Sequence, residues 1–316
     1  MIPSYVFYKK LNKDNVVDEV MAESAVFNNV LNQTVIKSIY KTLNEKRLLL
    51  QRTTLTDFRN YLSSSETDLF EEISITCKKD GKTTTRLVTR HKEVSPYAIA
   101  LSLAPHTYAS HYSALYLQNL TLNIPKPIYV KKKATRPKAM PEPEKLSQAQ
   151  LEKTFAVPAK TTNSIYTFRY KGVTREVYLL EKSATVDNGI TRISAPHAPA
   201  GIAISGVEKT LIECVLKPNY AGGAQEVLNA FYAAKDRLKI LRMMQLLEEG
   251  RYSLPYGKNI LFYMDRAGYS ERQKDLVRQR MSPATQELIT YLEKNMHNPA
   301  LDANIGIYYP ERIAVQ

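Results

Sequence analysis

The sequence predicts an α+β protein in two parts. The first part, residues 1–94, carries two helices followed by a hairpin. The second, residues 95–316, is a larger mixed α/β domain whose end, from about residue 224, is helical. Three observations predict this. Apolar residues Leu31, Val35, Ile39 and Leu43 recur every fourth position within Val30–Leu50, the spacing of one helix face. Glu71–Arg90 alternates like half-buried strands around Asp80-Gly81. Helical spacing returns after Ala224, in "EVLNAFYAAKDRLKILRMMQLLEEG", "KNILFYMDRAG" and "PATQELITYLEKN". The chain of 316 residues, 44% hydrophobic and 24% charged, is long enough for two globular domains without disulfide staples.

In the first part, Val30–Leu50 reads as one helix. A second begins at Thr54-Leu55-Thr56-Asp57, where a hydroxyl precedes a carboxylate by three residues, as in a capping box. Leu55, Phe58 and Leu62 are its expected buried face, and the serine cluster after Leu62 ends it. In the hairpin, Ile73, Ile75 and Cys77 alternate with Ser74 and Thr76. Asp80-Gly81 signals a two-residue type I′ turn, which needs positive φ at both central residues. Helix, helix and hairpin in this order is the arrangement of a winged helix-turn-helix, in which the second helix enters the major groove and the wing touches the backbone.

The second part opens at Ser95-Pro96, a helix start with proline in the first turn, and Pro105 is expected to end that helix. A helix follows over about Ser110–Gln118, then a proline-bounded strand in "IPKPIYVKKK", expected at a sheet edge or with proline at its start. Lys131–Gln148 is rich in proline and charge and reads as a surface loop or linker. Two strands flank Lys171-Gly172, and "GITRISAPHAPAGIAISG" carries further strand-like pieces. The stretch "VEKTLIECVLKPNYAGG", from Val207 to Gly223, reads as a helix with Glu208 favoured by the positive end of its dipole and Lys209 snorkelling from apolar neighbours. Leu211, Ile212, Cys214 and Val215 supply its core face, Pro218 stops it, and Gly222-Gly223 permits positive φ before the next helix.

The formal charge is +13, a balance that predicts attraction to polyanions, nucleic acid first. Cys77 and Cys214 are far apart and form no metal or redox motif, as expected for buried thiols in a reducing compartment. The N-terminal residues lack a signal-peptide pattern and no stretch approaches a membrane span; a cytoplasmic protein without membrane contact is expected. There is no dinucleotide fingerprint, phosphate loop, zincin or nucleophile-elbow motif, so no cofactor and no catalytic residue is assigned. His106 and His111 lie five apart, off the spacing of a helical metal pair, and read as packing or capping residues. Glu176 and Glu181-Lys182 are the one candidate for a metal-dependent nuclease, at unconvincing spacing.

Three segments carry a family resemblance: "SPYAIALSLAPHTYASHYSALYLQNLT", then "IPKPIYV", then "VEKTLIECVLKPNYAGGAQEVLNAF". With "NILFYMDRAGY" and "YYPERI", they resemble the AbiEi family of type IV antitoxins and related transcriptional regulators over roughly Ser95–Ile313. The resemblance implies a bacterial phage-defence protein, with an N-terminal winged helix on operator DNA and a C-terminal antitoxin-like domain. It implies repression of its own operon and counteraction of a cognate nucleotidyltransferase-like toxin, without a necessary stable complex. From the residues themselves, Arg52, Thr56, Arg59 and Asn60 are expected at base edges or nearby phosphates. Lys78, Lys79, Lys82 and Arg86, with Arg90 behind them, are expected on phosphates. A stand-alone DNA-binding regulator without a toxin is the first alternative, and the nuclease the second.

Overall fold

Capping and apolar spacing set the N-terminal helices. In the computed structural model, which describes residues 14–133, 146–180, 188–195, 198–252 and 254–313, α1 spans Asp14–Val26, α2 Gln33–Glu45 and α3 Leu55–Ser63. Asn32 caps α2 by accepting from the Val35 N–H at 2.9 Å. The expected helix over Val30–Leu50 is therefore shorter. Val30-Leu31 is instead a two-residue strand, β1, paired with Val88 and Leu87. The Thr54 capping box forms as expected. Phe58, Tyr61 and Leu62 are fully buried, whereas Leu55 is 38% exposed; the inward face is set by Tyr61 rather than Leu55. Each of these buried rings and branches contributes roughly 1.5–3 kcal/mol. They join Val16 and Val20 of α1, Ile36, Ile39 and Leu43 of α2, and Leu31, Phe70 and Leu87 in one core.

The hairpin is β2, Phe70–Cys77, and β3, Thr83–Thr89, in register from Phe70↔Thr89 to Thr76↔Thr83. Its turn differs from the expected one. The Cys77 N–H donates to the Lys82 carbonyl at 2.8 Å and the Gly81 N–H to the Cys77 carbonyl at 2.9 Å. Lys78–Gly81 thus forms a four-residue loop in which Gly81 has φ +69° and Asp80 does not have positive φ. The two-residue turn with positive φ at both positions occurs instead at Lys171 (φ 47°) and Gly172 (φ 77°), between β6, Ile165–Tyr170, and β7, Val173–Leu180.

The chain divides into two compact units. One comprises the described residues through Pro105 together with Ser164–Val177 and Ile193–Ile202; the other comprises His106–Asn163, Tyr178–Arg192 and Ala203 onward. The expected division at residue 94 falls inside the first unit, because helix α4, Pro96–Leu101, packs there. Ser95 caps α4 and Pro96 starts it, but it ends at Leu101, before Pro105. Within this unit the strand order is β1-β3-β2-β6-β7, β7 belonging to it as far as Val177, and β6 pairs with β2 through Ile75↔Phe168, Thr76↔Thr167 and Cys77↔Tyr166.

In the second unit, β4, Thr107–Ala109, pairs antiparallel with β5, Ile128–Lys132, which starts directly after Pro127. Between them lies α5, His111–Leu117; α6 spans Gln148–Phe155. Strands β8, Ile190–Ala195, and β9, Ala198–Ser205, of which Ile193–Ile202 belongs to the first unit, precede α7, Val207–Leu216. Lys217 and Pro218 end α7, and Gly222 and Gly223 have φ 86° and 94° ahead of α8, Ala224–Ala234. A Cβ on Gly222 would lie 3.1 Å from Glu226 Cγ, so both space and φ favour glycine there. Helices α9, Ile240–Glu249, and α10, Gly257–Arg266, complete a core with Leu211, Val215, Val227, Phe231, Met243 and Tyr263. Next come α11, Glu271–Arg278, and α12, Pro283–Glu287. The expected helix over "PATQELITYLEKN" then stops. Thr290-Tyr291 forms β10, parallel to β12, Ile307–Pro310, which pairs antiparallel with β11, Pro299–Asp302. The whole is a mixed α/β protein. Among the described residues, no helix is long and apolar enough to cross a membrane. Most of the proline-rich stretch, residues 134–145, lies outside the described residues.

Candidate nucleic-acid interface

Helix α3 is held from both ends of its approach. The Tyr40 hydroxyl of α2 donates to the Thr53 carbonyl at 2.7 Å, fixing the turn that carries exposed Arg52. The Asp57 N–H donates to Thr54 Oγ1 at 3.1 Å, while Asp57 Oδ2 accepts from the Thr54 hydroxyl at 2.6 Å and the Thr54 N–H at 3.0 Å. These Thr54 bonds hold the Asp57 carboxyl below its ordinary value. With Phe58, Tyr61 and Leu62 turned inward, Thr56 and Asn60 face solvent beside half-exposed Arg59. Arg59 Nη2 reaches Glu72 of β2 at 3.4 Å. Arg52, Thr56, Arg59 and Asn60 thus lie on or just before α3, exposed or half-exposed.

The hairpin cations divide into different environments. Lys78, Lys79 and Lys82 are exposed at the loop. Lys78 is ion-paired with Glu176 of β7, and Lys82 with Asp80 at 3.1 Å. The Lys82 ammonium, bonded to Asp80, holds that carboxyl below its ordinary value. Lys79 makes no ion pair among the described residues. Arg90 lies at the other end of the hairpin, bound to Asp68 at 3.2 Å. The six steps of register between Thr89 and Thr83 separate that end from the loop by about 20 Å.

Arg86 corrects the sequence reading. It is 6% exposed. Its Nε and Nη2 donate to the Ser102 carbonyl at 3.3 and 2.9 Å, and Nε donates to Ser102 Oγ at 2.9 Å. Nη1 donates to Thr84 Oγ1 at 2.8 Å and the Thr85 carbonyl at 2.9 Å. Ile73 and Arg86 are register partners on the buried face, so the guanidinium ties β3 to the residue capping α4. It is removed from the phosphate-contacting set.

A second polar constellation, which the sequence reading passed over, lies in the other unit. Glu213 of α7 is fully buried and its Oε1 accepts from Tyr108 at 2.7 Å and Lys131 at 3.0 Å, with Lys209 at 3.9 Å. Burial pushes the Glu213 carboxyl up, but Lys131, Lys209, His111 and the Tyr108 hydroxyl outweigh it and hold the group at about 2. Glu213 Oε2 is buried without a hydrogen-bond partner among the described residues. Lys209 is buried over the Tyr108 ring rather than snorkelling to solvent. His111 is likewise buried, edge-on to Tyr220, and burial pushes its ring down to about 3. Thr210 Oγ1 bonds Ser205 and accepts from Gln118 at 2.9 Å, and Glu208 Oε1 accepts from the Lys239 N–H at 3.1 Å, at the start of α9. Glu208, Lys209 and Thr210 all join elements together. The cluster holds a fixed carboxylate, its lysines and a neutral imidazole, an arrangement that locks β4, β5, α5 and α7.

The nuclease candidates do not assemble. Glu176 is a surface residue bound to Lys78, and Glu181-Lys182 lies outside the described residues. Among the described residues, no group of three or more His, Cys, Asp and Glu could hold a metal ion.

No known family matches the chain, and no curated protein matches it. Among solved structures the chain is similar to the crystal structure of the RV2827C protein from Mycobacterium tuberculosis, at 12% identity and a TM-score of 0.49, over 96% of this chain and 93% of that one.

Proposed function

We propose that the protein binds duplex DNA through α3 and the β2–β3 loop, and that it is an AbiEi-type antitoxin that represses its own operon and counteracts a nucleotidyltransferase-like toxin. The observation that carries the DNA-binding reading is the open face of α3, with Arg52, Thr56, Arg59 and Asn60 exposed or half-exposed next to a lysine-bearing hairpin. The order α1-β1-α2-α3-β2-β3, with β1 closing on β3, supports a winged-helix reading of this unit, in which α3 is the groove-entering helix. Lys79, Lys78 and Lys82 then supply backbone contacts, the last two by leaving their carboxylate partners. The antitoxin role rests on the family resemblance of Ser95–Ile313.

Binding is tested with the full chain and duplex DNA from upstream of its own gene, by fluorescence anisotropy across a salt series. The reading expects tight, salt-sensitive binding that weakens and loses sequence preference in Asn60→Ala. Equal affinity for operator and unrelated duplex, in wild type and variant alike, refutes base reading by α3. The antitoxin role is tested by co-expression with the adjacent gene. Growth rescue supports it, and no rescue, or a neighbour that is not toxic, leaves a DNA-binding regulator.

A further inference from the structure

The sheet that carries the hairpin has two chemically distinct faces. Direct register partners share a face. Ile73, Ile75 and Phe168 are buried on one face, together with Arg86. On the other face, Ser74↔Thr85 and Thr76↔Thr83 lie opposite one another, and Thr76↔Thr167 extends the row onto β6. Two residues along β6 from Thr167, on the same face, is Arg169, exposed and without an ion pair among the described residues. Glu72, two residues before Ser74, also belongs to this face, and it is the residue that Arg59 of α3 reaches. The hydroxyl-lined row therefore begins about 7 Å from the contact point of α3 and runs away from the helix.

We infer that this open face of β2, β3 and β6 is a second contact surface for the sugar–phosphate backbone of the same duplex, with Arg169 as its anchoring cation. Charge and chemistry identify the occupant. A protein partner's apolar anchor finds no apolar side chain among Ser74, Thr76, Thr83, Thr85 and Thr167, whereas phosphate oxygens take bonds from hydroxyls and an arginine fork. The carboxylates nearby, Glu72 and Glu176, are paired with Arg59 and Lys78 in the free protein, and such exposed pairs subtract from each phosphate contact without abolishing it. The strand that brings Arg169 comes from Ser164–Val177, far along the chain from α3, so the surface is assembled only in the folded protein. This inference rests on the proposed DNA-binding reading.

The test uses full-length wild type, Arg169→Gln, Arg169→Lys and Ser74→Glu, each checked for an unchanged thermal midpoint. Binding is measured on operator and on unrelated duplex between 50 and 300 mM salt. Loss of one phosphate contact lowers the slope of log affinity against log salt by about 0.9 and affinity by roughly tenfold at 0.1 M salt. Arg169→Gln is expected to do so equally on both duplexes, Arg169→Lys to keep the slope, and Ser74→Glu to weaken binding further by repelling phosphate. If wild type binds DNA and Arg169→Gln keeps its affinity and slope, the second surface is wrong while the α3 reading stands. If wild type binds neither duplex, both readings fall. A variant with a lowered midpoint is replaced by the charge-keeping comparison, in which Lys must differ from Gln for the proposal to survive.

Discussion

Replacing Glu213 with alanine removes the carboxylate that two buried ammonium groups share. Lys131 and Lys209 stand 3.0 and 3.9 Å from its carboxylate. At an effective dielectric of about 20 these distances correspond to attractions of about 5.5 and about 4.3 kcal/mol. Desolvation of the same ions opposes them by several kcal/mol each. Deleting one partner of such a cluster removes the attraction and keeps the desolvation, so the expected loss is about 3–5 kcal/mol. For a unit of this size that lowers the thermal midpoint by about 10 °C. The chain has 21 tyrosines and no tryptophan, so far-ultraviolet circular dichroism and tyrosine emission are the probes. The triple variant Glu213→Leu, Lys131→Met, Lys209→Met removes both the charges and their desolvation, and it is expected to regain most of the loss. A loss below about 1 kcal/mol for Glu213→Ala, or a triple variant no better than the single one, refutes the account of this cluster.

His111 predicts a distinct acid sensitivity. Its folded value, pushed to about 3 by burial, lies below the unfolded value of about 6.5. Its contribution is complete above pH ~6.5 and falls by about 1.4 kcal/mol per pH unit as pH drops toward 3. His111→Asn should flatten stability between pH 6.5 and 4.5 in urea titrations, whereas Glu213, held at about 2, adds its loss only below pH ~4.5. Arg86→Lys is expected to cost about 2–3 kcal/mol by breaking its bonds to Ser102 and to leave the salt slope of DNA binding unchanged. Lys79→Gln should do the reverse, lowering the slope by about 0.9 with no change in midpoint; equal behaviour of the two variants contradicts the separation drawn between them. Thr54→Ala, which removes the cap of α3, should cost about 1 kcal/mol in chemical denaturation.

Local signals made much of the first unit legible. The Thr54 capping box, the helical spacing of Val35, Ile39 and Leu43 and the alternation of Ile73 and Ile75 all act within a few residues, and each appears in the fold. What escaped depends on distant partners. Leu31 fits the helical spacing of Val35, Ile39 and Leu43, yet Val30-Leu31 becomes a strand because Val88 and Leu87 lie beside it. Thr290-Tyr291 is drawn from a helical pattern by pairing with Ile307 and Tyr308. Arg86 resembles any other hairpin arginine until Ser102 is seen against it. Glu213 was hidden because α7 is buried from Lys209 to Val215, so no polar stripe marks its outer side. A signal was nonetheless present. A carboxylate set between Leu211-Ile212 and Cys214-Val215, with Lys209 four residues before it, requires a buried cationic partner. Lys131, on a strand, is the part that sequence does not supply.

On the proposed DNA-binding reading, the carboxylates of the first unit bear on how it would discriminate among DNA sequences. Of the cations proposed to meet DNA, Arg59, Lys78, Lys82 and Arg90 are each already matched by Glu72, Glu176, Asp80 and Asp68. These are exposed pairs worth roughly 0–1 kcal/mol apiece, weak enough to yield to a phosphate yet strong enough to subtract from each contact. Backbone binding is thereby reduced on every sequence alike. Thr56 and Asn60 carry no such competitor charge, so their contacts to base edges keep their full value. On that reading the ratio of specific to non-specific affinity is expected to rise even though total charge attraction falls. Glu176→Gln, which frees Lys78 from its partner, is therefore expected to tighten binding to unrelated duplex by a factor equal to or larger than its gain on operator. A gain confined to operator would show that Lys78 takes part in reading sequence rather than in holding the backbone.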